Sequence, residues 1–328
     1  MGFSEILGHR KQIEALRAAL QNGRLHHAYL FLGPEGIGKR KVALSLAKAI
    51  HCDAADLDFC GTCPNCARIN NANHPDFRII GLLPDKKEIG IQQVREIERE
   101  LNLRSFSGKR KIAVIDPATL MNLSAQNALL KTLEEPPQAS LLILIASNAG
   151  GLLPTLRSRC LLLSFAPLEK EMVARFLSAT HGIDPGQAEV LAALAMGSIG
   201  TAVALNDKER REQRRSWSET VCSLATGDYR LGIDAAEDLA AKKDDCLQFL
   251  AWAETWYRDL LVYAVSQEAS LIINQDMIQA IRSHSAVVAS EHAIEVIGRI
   301  ADAQRAIQRN LNRRMVLEQL FFEVVGDS

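Results

Sequence analysis

An α/β fold built on a parallel sheet, followed by an all-helical second half, is what this 328-residue chain predicts. Three observations carry the expectation. Short apolar runs recur through the first half, the first of them leads into a glycine loop and a helical pattern, and strand-like runs stop near residue 166. Near-continuous apolar strands alternating with helices belong to a parallel sheet covered on both faces.

The strand-like runs are AYLFLG (28–33), DFRIIG (76–81), KIAVID (111–116), LLILIA (141–146) and CLLLSF (160–165). The first opens into GPEGIGKR, residues 33–40, and then the helical stretch KVALSLAKAI. Strand, glycine loop and helix in that order form the setting of a phosphate-binding loop, in which backbone N–H groups and the helix dipole face an anion. Gly33, Gly36, Gly38 and Lys39 supply the frame, with Lys39 in the position that reaches the outer phosphates. The next residue departs from the pattern. Where a Ser or Thr hydroxyl would ligate Mg²⁺ stands Arg40, so nucleotide binding can survive while the metal that serves phosphoryl transfer loses a ligand.

The third run ends in Asp116, a position suited to the acid that holds the Mg²⁺ shell. A Glu directly after it would orient the attacking water, and Pro117 has no carboxylate with which to do so. Both departures point to slow or absent hydrolysis at this loop. Between the loop helix and the second strand lie Cys52, Cys60, Cys63 and Cys66, spaced C-x7-C-x2-C-x2-C. Overlapping C-x2-C steps bring thiolates onto one ion, and four sulfurs close a structural Zn²⁺ site with no open position for catalysis. His51 and His74 are nearby substitutes should one cysteine not ligate.

Beyond the sheet, Pro167 opens short helical segments, EKEMVARFLSAT and DPGQAEVLAALA, interrupted by Gly197-Ser198-Ile199-Gly200. We expect three parts: a nucleotide-binding-type domain over 1–166 with the cysteine module at 52–66, a helical lid over 167–208, and a C-terminal helical domain over 209–328. In the last part Phe249, Trp252, Ala253, Trp256, Leu260 and Tyr263, and later Ile300, Ile307 and Leu311, follow helical spacing and read as core stripes of a bundle.

Composition narrows the function classes. The formal net charge of −1 gives no global basic field to draw the chain onto nucleic acid unaided. LLILIA is far short of the roughly 20 residues that cross a bilayer. MGFSEILGHRKQ lacks the apolar core of a signal peptide, and Ile6 stands where a myristoylation signal would have Ser or Thr. No membrane role is expected, and the cytoplasm is the expected compartment.

Taken together, HAYLFLGPEGIGKR, the cysteines after the loop helix, SAQNALLKTLEEPP (124–137) and LRSRC resemble the bacterial clamp-loader branch of AAA+ proteins over nearly the whole chain. The resemblance implies an AAA+ P-loop domain, a helical lid and an all-α collar domain that joins a five-subunit ring. It also implies partners: the gamma/tau and delta clamp-loader subunits directly, with primer-template DNA and the sliding clamp reached through the assembly. Composition alone would make Arg159 a surface charge; the Ser158-Arg159-Cys160 match implies an arginine finger inserted in trans beside a neighbour's ATP. ATPase members of the branch keep Thr or Ser, Glu, and a lid Arg where this chain has Arg40, Pro117 and Gly200. ATP or ADP at the degenerate loop stays open on this reading. Ser147-Asn148 occupies the first sensor position. The expected function is therefore a stator subunit of a replicative clamp loader. The alternatives are an active gamma/tau-type ATPase, supported by Lys39, and a zinc-bearing DNA-binding module, suggested by the cysteines and GKRK at 108–111.

Overall fold

The computed structural model describes residues 2–54, 57–84, 86–224, 229–309 and 311–326. They form two compact units, one of Met1–Phe176 with Met196–Thr201, the other of Leu177–Ala195 with Ala202–Ser328.

The first unit is built on the five expected strands: β1 (Ala28–Leu32), β2 (Phe77–Ile80), β3 (Lys111–Ile115), β4 (Ser140–Ala146) and β5 (Leu161–Ser164). All pair in parallel, in the order β2-β3-β4-β1-β5. Parallel neighbours need crossovers, and helices supply them. After α1 (Arg10–Gln21), the segments α2 (Lys39–His51) and α3 (Pro64–Asn70) lead from β1 to β2, α4 (Ile91–Asn102) from β2 to β3, α5 (Leu123–Glu134) from β3 to β4, and the single turn α6 (Pro154–Arg157) from β4 to β5.

Period-two alternation sends strand residues to two separate cores. Tyr29, Phe31, Val114 and Ile143 pack on one face with Leu16 and Leu46, while Leu30, Ile115 and Leu144 pack on the other with Val94 and Leu129. The side chains at these positions are almost completely buried, so truncating one to Ala costs about 2–5 kcal/mol. The edge strand departs from this plan. β5 pairs with β1 alone, and Leu161 and Leu162 are 47 % and 50 % exposed, contrary to the expectation that every strand is covered on both faces. The chain leaves the sheet at Phe165-Ala166-Pro167, so no further crossover helix is returned over this edge.

The chain continues through α7 (Lys170–His181), α8 (Pro185–Leu194) and α9 (Ile199–Leu205) into α10 (Lys208–Leu224), α11 (Tyr229–Ala240), α12 (Lys243–Ser266), α13 (Ile278–Ser285), α14 (Ser290–Gln308) and α15 (Arg313–Gly326). The expected bundle core is present: Phe249, Trp252, Ala253, Trp256 and Leu260 of α12 pack with Val296, Ile300 and Ile307 of α14. Leu311 does not join it. It lies between α14 and α15 rather than on a helix face, and is 55 % exposed. One polar network is enclosed: Arg214 donates to Asp276 and Asn274, and the fully buried Asp259 accepts from the N–H groups of Ile273 and Asn274. No single helix among the described residues is long and apolar enough to cross a membrane.

Candidate functional site

The glycine loop follows β1, and α2 begins at Lys39 with Gly38 as its N-cap. The chain's own groups meet it from several sides. The Lys39 ammonium is buried and donates to the carbonyls of Gly33 and Pro34, each at 2.5 Å. His9 Nε2 lies 2.8 Å from the Ile37 carbonyl oxygen, and the Gly200 N–H donates to the Gly36 carbonyl at 3.0 Å. Burial pushes the Lys39 ammonium below its ordinary pKa, with Asp116 and then Glu35 acting in the other direction.

Two glycines make this closure possible. Gly36 has φ +71°, and a Cβ there would stand 2.4 Å from Ser198 Oγ. A Cβ on Gly200 would stand 3.0 Å from the Gly36 Cα, so the two backbones are in close contact where a side chain would need a small shift to fit. The Gly200 position, read in the sequence as a missing lid arginine, is thus in direct backbone contact with the loop.

Arg40 takes part in the same arrangement. Its Nη1 lies 3.8 Å from Asp116 Oδ2, bringing a cation to the acid that the sequence reading expects in the Mg²⁺ shell. Burial raises the Asp116 pKa, opposed by Arg40 and Lys39. Pro117 follows in a cis peptide and offers no carboxylate. Asn148, expected from the resemblance at a sensor position, is exposed, and its Oδ1 accepts from the N–H groups of Gly150 and Gly151.

The cysteine sulfurs of Cys52, Cys60, Cys63 and Cys66 all lie within 4.8 Å of one another, and all four are free thiols. Cys52 and Cys63 are 4.0 Å apart, close to the roughly 3.8 Å edge of a tetrahedron with 2.3 Å metal–sulfur bonds. Backbone N–H groups point at the sulfurs, from Cys60 to Cys52, Cys63 to Cys60 and Cys66 to Cys63. Such donors favour thiolate, and those of Thr62 and Cys63 lower the Cys60 pKa to about 6. The donor set fits one tetrahedral ion. His51 and His74 are not needed to complete it, because they group instead with Asp76, all three buried. Asp76 accepts from the N–H groups of Phe106 and Ser107 and from the hydroxyls of Ser105 and Ser107. Those bonds outweigh its burial and hold its carboxyl well below the ordinary range.

Arg159 sits at the other end of the strands. It precedes β5, which is parallel to β1 with Tyr29 opposite Leu161, whereas the glycine loop follows β1. At about 3.3 Å per residue, roughly 20 Å of strand lies between Arg159 and the loop, farther than one side chain reaches. The guanidinium is anchored twice, by Nη1 to the Thr155 carbonyl at 2.8 Å and by Nη2 to Glu134 Oε1 at 2.6 Å. α5 supports the same segment from its other end. The buried Gln126 donates to the carbonyls of Met121 and Gly151 and accepts from the Leu153 N–H, just before α6.

His9, Gln126, Glu134 and Asp76 had no assigned role in the sequence. For Gln126 and Glu134 a signal existed: both belong to SAQNALLKTLEEPP, and Glu134 places an acid at the end of a helix, against the macrodipole. Asp76 gave no comparable sign, since its partners lie some thirty residues away.

The family model described as DNA polymerase III, delta subunit matches residues 8–169, and its C-terminal counterpart matches residues 234–325. The chain is 30 % identical to DNA polymerase III subunit delta' of Bacillus subtilis over 312 residues, covering 94 % of this chain and 93 % of that protein. It is 32 % identical to the subunit delta' of Pseudomonas aeruginosa, covering 90 % and 91 %. Among solved structures, a DNA polymerase III gamma subunit-related protein of Thermotoga maritima aligns with a TM-score of 0.47 at 18 % identity, over 96 % of this chain and 99 % of that one. By sequence match along nearly its full length, the chain belongs to the DNA polymerase III delta' subunit family.

Proposed function

We propose that this chain is a stator of the clamp loader that places the sliding clamp on primed DNA, and that its contribution to ATP hydrolysis is Arg159, delivered to a neighbouring gamma/tau subunit. One observation carries the reading: the charges of the chain's own loop are engaged internally, Lys39 on Gly33 and Pro34 and Arg40 on Asp116, while Arg159 stands at the opposite end of the strands. Nucleotide binding at this loop would have to draw Lys39 away from two carbonyls and meet Arg40 in place of a Mg²⁺ ligand. Leu161 and Leu162, exposed just after Arg159, favour a protein neighbour on that edge.

The proposed organisation keeps three functional parts: the nucleotide-binding-type domain over 1–166, the lid over 167–208 and a collar domain over 209–328 that holds gamma/tau and delta. DNA and clamp are reached through the assembly, in the bacterial cytoplasm. Arg159→Ala is the test. It should leave assembly intact and lower the DNA-stimulated ATPase of the reconstituted loader; unchanged ATPase would rule the finger role out.

For the cysteine cluster we propose structural Zn²⁺, held by Cys52, Cys60, Cys63 and Cys66. The ion would supply cross-linking of the 52–66 segment and no catalysis, since four sulfurs leave no open position. Native mass spectrometry should find one zinc per chain, and Cys66→Ser should lower both the zinc content and the unfolding temperature. A metal-free chain of unchanged stability would contradict this.

A further inference from the structure

Glu134 ends α5 as the last residue of a helix whose carbonyl end already carries partial negative charge. Glu135 follows it at the C-cap, adding a second acid to the same end. Helix energetics disfavour carboxylates there, and a broken local rule of this kind points to a use elsewhere. The use visible in the structure is Arg159. Its Nη2 donates to Glu134 Oε1 at 2.6 Å while Nη1 donates to the Thr155 carbonyl, so both terminal nitrogens are anchored. Thr155 lies on α6, whose approach is fixed through Leu153 and the buried Gln126 of α5. One helix therefore sets the position of Arg159 at both ends, through Gln126 where the segment begins and through Glu134 where it finishes.

We infer that Glu134 is a positioning residue for Arg159, holding the guanidinium in one orientation on the sheet edge before the neighbouring nucleotide arrives. This rests on the reading of Arg159 as a finger in trans. A guanidinium has five N–H donors, and the two anchors engage two of them. The remaining three can meet phosphate oxygens without breaking either anchor. An arginine left free on a half-exposed edge samples many rotamers, and each encounter with the neighbour would have to select one of them. Misplacement of a transition-state group costs rate rather than substrate affinity, so the effect belongs in kcat. As a half-exposed ion pair, the same contact contributes little to folding.

The experiment compares Glu134→Ala, Glu134→Gln, Arg159→Ala and the double variant Glu134→Ala/Arg159→Ala in the reconstituted loader, with assembly checked by native mass and ATPase measured with primed DNA and clamp. Glu134→Ala should lower kcat roughly tenfold at unchanged KM for ATP. Glu134→Gln should recover most of that loss, because its amide oxygen accepts from the same Nη2. The double variant should be no slower than Arg159→Ala alone, since Glu134 acts only through Arg159. If Arg159→Ala slows the loader and Glu134→Ala does not, or speeds it, the positioning role is wrong and the finger stands. Additive losses in the double variant would also overturn it. Unchanged ATPase in Arg159→Ala would overturn the finger reading itself, and this inference with it.

Discussion

At the C-terminal ends of the strands, Lys39, Arg40 and Asp116 meet partners within the chain, and His9 and Gly200 close on the same loop. At the N-terminal ends, Arg159 is anchored by two of its donors and keeps three more. The loop retains the shape of a phosphate site, with Lys39 hydrogen-bonded to two carbonyls and Arg40 beside Asp116. The edge carries a guanidinium paired with Glu134 on one side and with three N–H donors left over. The contrast teaches that the outline of a motif and the disposition of its charges are separate facts, and that the second decides what chemistry remains.

The largest effect should come from removing Arg159. An arginine finger contributes about 10³-fold or more to phosphoryl transfer, so Arg159→Ala should cost the loader's DNA-stimulated ATPase about 4 kcal/mol of barrier, while the chain's own unfolding free energy moves by less than about 0.5 kcal/mol. An effect on folding of similar size would dissolve the contrast between the two ends. Asp76, enclosed at the N-terminal end of β2, gives the opposite split. Asp76→Asn should destabilise the chain by about 2–3 kcal/mol in urea unfolding, because the N–H groups of Phe106 and Ser107 lose a charged acceptor. The pH dependence follows from its lowered folded pKa. The stabilisation is fully present above the unfolded value of about 4 and is lost as pH falls through the folded value, and the Asn variant should lack that acid-side loss.

The smallest effect should come from Lys39→Met. Loss of the donor to Gly33 and Pro34 should cost about 1 kcal/mol of stability in the same unfolding experiment, while loader ATPase changes by less than about twofold. A tenfold fall in ATPase would mean that the loop still works with nucleotide, and the two ends would no longer differ in kind.

Much of this was legible in the sequence. The five strands could be read because each is a short apolar run between helical patterns, and the sulfur cluster because C-x2-C steps bring ligands together locally. Arg40, Pro117 and Gly200 stood out individually as departures. Their partners did not: Arg40 meets Asp116 only when the start of α2 comes beside the end of β3, and Gly200 meets Gly36 only when a segment from beyond β5 returns to the first loop. Burial at the edge was illegible for a similar reason. CLLLSF has the composition of a covered strand, and only the sheet order makes it the last one. The pairing of Glu134 with Arg159 spans 25 residues and depends on where β4 and α6 return the chain, which no periodicity encodes.

The contact between Gly36 and Gly200 also sets one of the three departures from the ATPase pattern apart from the other two. Arg40→Thr and Pro117→Glu would supply the hydroxyl and the carboxylate that the sequence lacks at those positions. The third differs, because a side chain at residue 200 would start 3.0 Å from the Gly36 Cα, so the two segments would have to give by a few tenths of an ångström to admit it. The three positions are therefore not equivalent: two involve a side chain alone, and the third also asks the backbone of the loop to shift.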